Sequence, residues 1–484
     1  MSYVNSNLEN VLFNTNEIVL GFLFNGGGIY LDQSTLNMKN SNFTKNSKNA
    51  IYAYDSKITS DNIIFKDNIE ALHCVFSKTE LNNTNLNNDT LVLNDTNYDS
   101  YVEGYGLEIN PINNTIDVNN LPARYDSRDW GWVSPVKRQG QMGACWTFGA
   151  IGALESTLLK ATGKLYDFSE NNMQNSMLQY SKNGIKDTGE GALKEQATQY
   201  LLSWIGIFPE EYDEYDELGK LSPTIMSDEN IHVLDAIFIP PNNNSIDFNA
   251  IKQAILKCGS VNIGYYSSNN PNILNPETIA TYQNRTKKYN HAVCFVGWDD
   301  NYSAKNFART PPGDGAFIIK NSWGEEKGNH GYFYISYYDT SLSNETGIGY
   351  LFENTEKYTK NYQTDLGGYL SLNDSFESYK NKYTSFGDDL INAVGTYFAY
   401  QGENYTIEIY VNDELKHTQN GTAPYYGYHT VKLTNEIQIK NEDNFTVVMT
   451  KKTTPILKLS RQHYKNNTSF VKTSEGWKDT SLDI

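Results

Sequence analysis

Ile29, Ile51 and Leu72 stand 22 and 21 residues apart, and Phe43, Phe65 and Leu86 keep the same two intervals. Ser34, Ser56 and Ser77 fall in step with them. A unit near 22 residues is too short for a stacked pair of helices, which needs roughly 34. Short alternating runs such as Ile29-Tyr30-Leu31 and Ile51-Tyr52-Ala53-Tyr54 sit between clusters of Asn, Ser, Asp and Lys, so each unit reads as strands and turns. One such unit has no core of its own. Stacked copies would bury ladders of Ile and Phe in a narrow continuous interior, which is the logic of a parallel β-helix. Leucine-rich repeats share this length range, but their Leu-x-x-Leu-x-Leu pattern is missing. Residues 1–100 are therefore expected to be β-helix repeats, with His73 and Cys74 as an ordinary ladder position and its neighbour.

The remaining length sets the rest of the frame. A chain of 484 residues suggests about three domains at roughly 100–200 residues each. Gly104, Gly106, Pro111 and the Asn113, Asn114, Asn119, Asn120 cluster mark residues 101–120 as a linker. The net charge of −18 excludes the basic stripes that nucleic acid or a polybasic membrane contact needs. The longest apolar run, Ile18 to Phe24, is too short to span a bilayer, which takes about 20 residues. No export signal is visible at Met1, and the repeats begin at once without a cap, so Met1 is expected to lie inside a longer protein. Cys74, Cys145, Cys258 and Cys294 are too scattered for a disulfide framework and form no metal-type pair. Neither a metal nor a cofactor is expected.

Composition changes abruptly at Leu121-Pro122, and the chemistry follows. Cys145 sits in Gln139-Gly140-Gln141-Met142-Gly143-Ala144-Cys145-Trp146, ahead of Phe148, Ile151, Leu154 and Leu158 at helical spacing and a stop at Gly163. A thiol at a helix start meets unpaired N–H groups and the positive end of the dipole, which favour thiolate. It is equally the place for a small packing residue. Downstream, Asn290-His291-Ala292-Val293 opens a buried strand, and Gly315 to Lys320 forms another that ends in the Asn321-Ser322-Trp323-Gly324 turn. Together these supply what thiol acyl transfer requires: Cys145 as nucleophile, His291 as base then acid, and Asn321 to orient the imidazole. Gln139 can donate to the oxyanion beside the Cys145 backbone N–H. Cys258 and Cys294, both read in apolar strand contexts, are expected to be inert core thiols. The acidic run from Glu210 to Glu217 could favour basic substrates, although such runs are usually solvated faces.

These motifs, in this order, resemble those of papain-like cysteine proteases over about residues 121–355. The resemblance implies an α+β central domain with a helical left half, a β-rich right half and a cleft between them. It also implies a peptide or protein substrate, with Gly143, Gly189, Glu190, Gly191 and Trp323 lining its path and Gly189 to Gly191 pairing with its backbone. Three departures stand out. Met142 replaces a cysteine usual in the family, and the partner loop Asp187 to Gly191 lacks one too, which suggests a disulfide-free variant. The interval from His291 to Asn321 is lengthened by a surface loop between Asp299 and Asp314. No helical inhibitory segment precedes Leu121.

The flanks also carry resemblances. Gly26-Gly27-Gly28-Ile29 and the Phe-x-x-Asn units at Phe13, Phe43 and Phe65 resemble adhesin-like β-helix repeats. From Asn354 onward strict alternation, as at Tyr405 to Val411, with further strands at Val431 to Leu433, Ile437 to Ile439 and Phe445 to Met449, predicts a β-sandwich over 356–484. This region resembles the lectin-like sandwich that follows papain-like domains in some prokaryotic surface proteins. The expected function is a cysteine endopeptidase at the cell surface or outside the cell, with a cell-surface glycan or cell wall as a further partner. Sequons such as Asn42-Phe43-Thr44 agree with an exterior location. Two alternatives stay open: an adhesin whose protease scaffold does not turn over, and a hydrolase or transpeptidase acting on cell-wall peptides.

Overall fold

The computed structural model describes residues 5–9, 12–14, 26–32, 35–45, 49–54, 57–68, 70–75, 78–82, 90–94, 121–177, 191–204, 206–217, 232–241, 248–351, 358–363, 371–456 and 465–481. Ser34, Ser56, Ser77, Leu86, the linker 101–120, Gly189, Glu190 and the side chains of His73 and Cys74 lie outside the described residues. The chain divides into two compact units, Met1–Leu107 and Glu108–Ile484.

In the first unit the 22-residue interval is a hydrogen-bonding register. Thr35–Thr44 pairs in parallel with Lys57–Lys66, which pairs in parallel with Lys78–Asn82. A second parallel sheet joins Gly26–Asp32, Asn49–Tyr54, Glu70–Val75 and Thr90–Asn94 in that order. Ile29 lies beside Ile51 and Ile51 beside Leu72, and Phe43 stacks on Phe65 with ring centres 5.1 Å apart. Residues from both sheets form one buried cluster. Polar positions repeat as well: Asn40 and Asn62 both take left-handed φ, at 49° and 60°, and Asn62 donates its amide to Asn40 at 2.9 Å. The Asn of one Phe-x-x-Asn unit, Asn68, is buried and donates to the Phe43 carbonyl of the neighbouring repeat at 3.0 Å.

In the second unit a long helix, α1 (Cys145–Thr162), is almost wholly buried and stops where Gly163 turns left-handed at φ 71°. Shorter helices α2 (Glu170–Ser176), α3 (Lys194–Leu202) and α4 (Asn249–Cys258) accompany it. Cys258 therefore ends a helix rather than lying on a strand as expected. The apolar spacing Ile251, Ala254, Ile255, Cys258 is helical, and Gly259 caps it. Both Cys258 and Cys294 are buried free thiols, in line with an inert role.

Facing the helices is an antiparallel array. We label its strands β1 (Asp235–Ile239), β2 (Val261–Tyr265), β3 (His291–Asp299), β4 (Ala316–Lys320), β5 (Tyr332–Ser336) and β6 (Gly347–Leu351). Their lateral order is β5-β4-β3-β2-β6-β1. The core between this sheet and α4 is aromatic and aliphatic, built on Phe248, Ile255, Phe295, Trp298, Phe317 and Ile335. The stretch between Asp299 and Asp314 is a surface loop anchored by buried Phe307 and Pro311, with one short turn, Ala304–Asn306, held by Ala304 N–H on the Asp314 carboxylate.

The predicted sandwich is present. Val431 to Leu433 and Ile437 to Ile439 prove to be one strand, β8 (Gly427–Ile439), which pairs with β7 (Asp389–Phe398) against a six-stranded sheet. Ile407, Ile409, Leu433, Ile439 and Phe445 fill the space between the sheets. What the sequence did not disclose is that β8 also hydrogen-bonds β1, so a single eleven-stranded sheet runs from the central domain into the sandwich. The seam is tied by Asp235, whose buried carboxylate accepts from Thr430 N–H at 2.6 Å and meets His429 Nδ1 at 3.0 Å. Gly427 permits the approach, with φ 131° and the Ala236 carbonyl 2.1 Å from where a Cβ would stand. Gly427→Ala should therefore cost about 2 kcal/mol or more. Calorimetry of the full chain should show the central domain and sandwich melting together at a lower temperature; independent melting of the two would contradict a shared sheet.

Candidate active site

Cys145 is the first residue of α1, and no side chain caps that helix. Its first N–H groups are consequently free to face the sulfur. The backbone N–H groups of Ala292, Trp146 and Cys145 itself favour the thiolate. Ala292 follows His291 on β3, so the strand that carries the imidazole also presents a donor to the thiol. Burial pushes the thiol up from its ordinary range, and the three N–H groups oppose that shift.

His291 is held on three sides. Tyr265, its partner on β2, meets the ring edge-on at 5.8 Å between centres, and Trp323 stacks on it at 4.8 Å. Below the ring, Nε2 lies 2.8 Å from Asn321 Oδ1. The same oxygen accepts the Ser322 backbone N–H at 2.8 Å. An N–H can only donate, so that atom of Asn321 is the oxygen, and His291 Nε2 must carry the proton. Neutral His291 then has its lone pair on Nδ1. Burial pushes the imidazole down to about 4, with the Asn321 contact acting in the opposite sense. Each shift reflects one charge placed alone in a dry site. A thiolate and an imidazolium formed together would neutralise each other and use the helix dipole.

Gln139 belongs to the same network. Its backbone N–H donates to the Ser322 carbonyl at 2.8 Å, and its side-chain Oε1 accepts from Ser322 Oγ at 2.7 Å. Nε2 therefore points toward the thiol loop, where one of its hydrogens bonds the Met142 carbonyl at 3.0 Å. The Gln139 and Asn321 segments are thus stitched into one frame, extended by Gly324 N–H on the Lys137 carbonyl at 3.1 Å.

Met142 is buried with Ala144 and Phe148, and Tyr215 closes the group. Among the described residues Cys145, Cys258 and Cys294 are all free, so apolar packing holds this loop where a disulfide was noted as missing. The acidic run takes part in this. Tyr215 donates to the Gln139 carbonyl at 2.7 Å, Glu217 accepts Gln141 N–H at 2.7 Å, and buried Asp213 accepts from Asn171 at 2.9 Å. Tyr215 and Glu217 thus brace the thiol loop and Asp213 holds α2, while Glu211, Tyr212, Glu214 and Glu217 remain exposed, as a solvated face would be. Of the expected substrate-lining residues, Gly191 takes φ 76° and its Cβ position lies 3.3 Å from the Gly143 carbonyl, so these two glycines border one side of the loop.

Sequence reasoning missed a buried charge cluster under the site. Lys137 Nζ contacts Glu155 at 2.9 Å, Glu170 at 3.0 Å and Asp167 at 2.7 Å. It joins the Gln139 segment to α1 and α2. Burial pushes the Glu170 carboxyl up against the opposing pull of Lys137, while the carboxylates hold Lys137 well above the usual range. Glu155, at the tenth residue after the thiol, fell on no apolar stripe, and its importance appears only once the helix is buried on every side.

With that geometry in view, comparison with known proteins is decisive. Residues 121–350 match the model of the papain family of cysteine proteases, and residues 361–479 match a lectin-like domain. The central region is a papain-family cysteine peptidase domain. Cathepsin K of Gallus gallus is 33% identical over 236 residues, covering 45% of this chain and 60% of its own length. A probable cysteine protease of Arabidopsis thaliana, RD19B, is 30% identical over 227 residues, covering 46% of this chain and 59% of its own. The chain thus spans about three fifths of these relatives. The solved structure of the clostridial cysteine protease Cwp84 after propeptide cleavage is 25% identical, with TM-score 0.63 over 74% of this chain and 94% of that one. A second structure, of the cysteine protease and lectin-like domains of Cwp84 from Clostridium difficile, shares the fold at TM-score 0.64, 24% identical over 75% of this chain and 86% of its own. That one is described as a surface-layer-associated protein.

The packing of the thiol loop makes its own forecast for the peptidase domain. Met142→Ala should destabilise it by about 2–3 kcal/mol through the cavity left beside Phe148. Tyr215→Phe, which keeps the ring, should cost only about 1 kcal/mol for one lost hydrogen bond. Urea unfolding checks both values, and the order of the two effects is the critical point.

Proposed function

We propose that this chain is an endopeptidase that cleaves peptide bonds through a Cys145, His291, Asn321 triad. The observation that carries this reading is the 2.8 Å contact between His291 Nε2 and Asn321 Oδ1, whose sense is fixed by Ser322 N–H. It leaves Nδ1 as the imidazole's only base, on the strand whose next N–H favours the thiolate of Cys145. His291 Nδ1 takes the Cys145 proton as sulfur attacks the substrate carbonyl carbon. The oxyanion is received by the Cys145 backbone N–H and the second hydrogen of Gln139 Nε2. Collapse expels the amine, which leaves with the proton from His291, and an acyl thioester remains. Water then attacks that thioester while His291 accepts its proton, and returning the proton to sulfur releases the acid.

Gly143, Gly191 and Trp323 border the substrate on this reading, and Gly189 and Glu190 lie outside the described residues. Residues 1–100 are read as turns of a parallel β-helix, supported by parallel registers of 22 and 21 residues. An exterior or cell-surface setting is supported by the shared arrangement of peptidase and lectin-like domains with Cwp84. A cell-surface glycan is a candidate ligand for a cleft of about 740 Å³ between the end of α3 and the sandwich, whose lining includes Gln199, Ser203, Tyr379, Tyr383, Tyr397 and Asn392.

In a peptide-cleavage assay under reducing conditions, Cys145→Ala should remove turnover. Gln139→Ala should lower kcat by about 10²–10³, the usual effect of losing one oxyanion donor. Asn321→Ala should lower kcat/KM while leaving Cys145 open to a thiol-directed epoxide. Turnover retained by Cys145→Ala would refute the assignment, and an absence of cleavage of every peptide by the parent protein would favour a binding scaffold.

A further inference from the structure

The strand β7 pairs with β8 on one side and with no described strand on the other, so it is an edge of the eleven-stranded sheet. The residues from Asp388 to Tyr397 all line the cleft of about 740 Å³ between α3 and the sandwich. At about 3.3 Å per residue, that stretch offers roughly 30 Å of backbone. An open edge of that length carries a row of N–H and C=O groups with which another chain can pair.

Two buried amide groups in the same cleft have no partner. Gln199 on α3 is 3% exposed, and its Nε2 meets no hydrogen-bonding atom among the described residues. Asn392 on β7 has a buried Oδ1 that is likewise unpartnered. It stands where the ladder with β8 shifts register, between Ile391 and Ala393, and such irregularities re-aim a side chain. One atom is a donor and the other an acceptor, and each costs stability while unpaired. The lip of the cleft is apolar: Phe386 is 64% exposed and Leu390 52%, with Tyr362 4.6 Å from Phe386 between ring centres. Lys360 meets the Asp389 carboxylate at 2.8 Å. Its neighbour Asp388 accepts the Asn441 N–H at 2.9 Å and meets no cation among the described residues.

We propose that β7 takes an extended polypeptide segment as an added strand, with apolar side chains against the lip and a basic residue beside Asp388. The C=O and N–H groups that alternate along such a segment answer the open edge, Gln199 Nε2 and Asn392 Oδ1 together. A saccharide, the other candidate for this cleft, can answer the two amides but not a row of backbone groups at strand spacing. The net charge of −18 agrees with a basic segment as the partner. A protein substrate is then held by a segment away from the bond that is cut. That last step rests on Cys145 being the nucleophile, and the experiment separates the two.

The probes are fluorescent peptides in which Thr alternates with Val, Leu or Tyr and a Lys stands at one end, titrated against the Cys145→Ala protein so that nothing is cut. For the tightest of them, N-methyl groups on one alternate set of residues should weaken binding tenfold or more. On the other set they should change it less than twofold, because only one edge of an added strand is paired. Gln199→Leu should weaken binding at least fivefold and raise the melting temperature, since it removes an unpaired donor. Should that variant fail to fold, Asp388→Asn, at an exposed position, should cost the Lys peptide at least fivefold and spare a peptide with Thr in place of Lys. Equal effects of the two N-methyl sets, or unchanged binding in both folded variants, overturn the added strand. Binding of chitotriose or cellotriose with none of any peptide overturns it too and assigns the cleft to sugar. Joined by a flexible linker to a peptide that the parent protein cleaves, the probe should lower KM at least tenfold and leave kcat within twofold. Cleavage with KM unmoved overturns the docking of substrate and leaves the nucleophile standing. Strand-selective binding by the Cys145→Ala protein without any cleavage by the parent upholds the added strand and overturns the nucleophile.

Discussion

The pairing of β2 with β3 governs the geometry of the site. That ladder sets His291 opposite Tyr265 and Ala292 opposite Gly264, and it fixes which groups face the first turn of α1. A one-residue slip would turn His291 away and present its neighbour instead, because successive residues of a strand point to opposite faces. The register is locked by burial on both sides: Val261, Ile263, Val293 and Phe295 all belong to the same core. The thiol, the imidazole and the Asn321 amide therefore come from three distant segments, brought together where one sheet packs on one helix.

A second constraint acts through the Gln139 and Asn321 segments. Ser322 bonds Gln139 through its carbonyl and its hydroxyl, while its N–H orients the Asn321 side chain. One small residue thus fixes the amide of each. The buried Lys137 cluster supports the same frame from below by tying it to α1 and α2. The thiol loop has no disulfide, and Met142, Phe148 and Tyr215 hold it instead.

Much of this was legible in the chain. The helix from Cys145 to Gly163, the strand opening at His291 and the strand ending before Asn321 each had a clear period and a stop signal, and they lie where expected. The repeat interval became a parallel register because in-step hydrophobics can only stack. Other features were hidden for physical reasons. Cys258 read as strand because the four residues Ile255 to Cys258 are too few to show a period, which emerges only when Ile251 and Ala254 are included. The roles of Asp213, Tyr215 and Glu217 depend on contacts some 40 to 76 positions away, where composition alone suggests only a charged surface. The sheet shared between peptidase domain and sandwich was likewise invisible, since edge pairing is set by backbone groups that every residue possesses.

The central claim is that Cys145 and His291 act as a pair and not as two isolated buried groups. Alone, burial holds the thiol above its ordinary value and the imidazole near 4. Cys258, pushed up to about 11, and the likewise raised Cys294 are removed by taking the ultraviolet thiolate spectrum as a difference between the parent and Cys145→Ala proteins. Titration of that difference should show thiolate at neutral pH in the parent, and in His291→Ala only at a pH above the ordinary thiol range. A parent thiol that stays protonated until the same alkaline range would contradict the account.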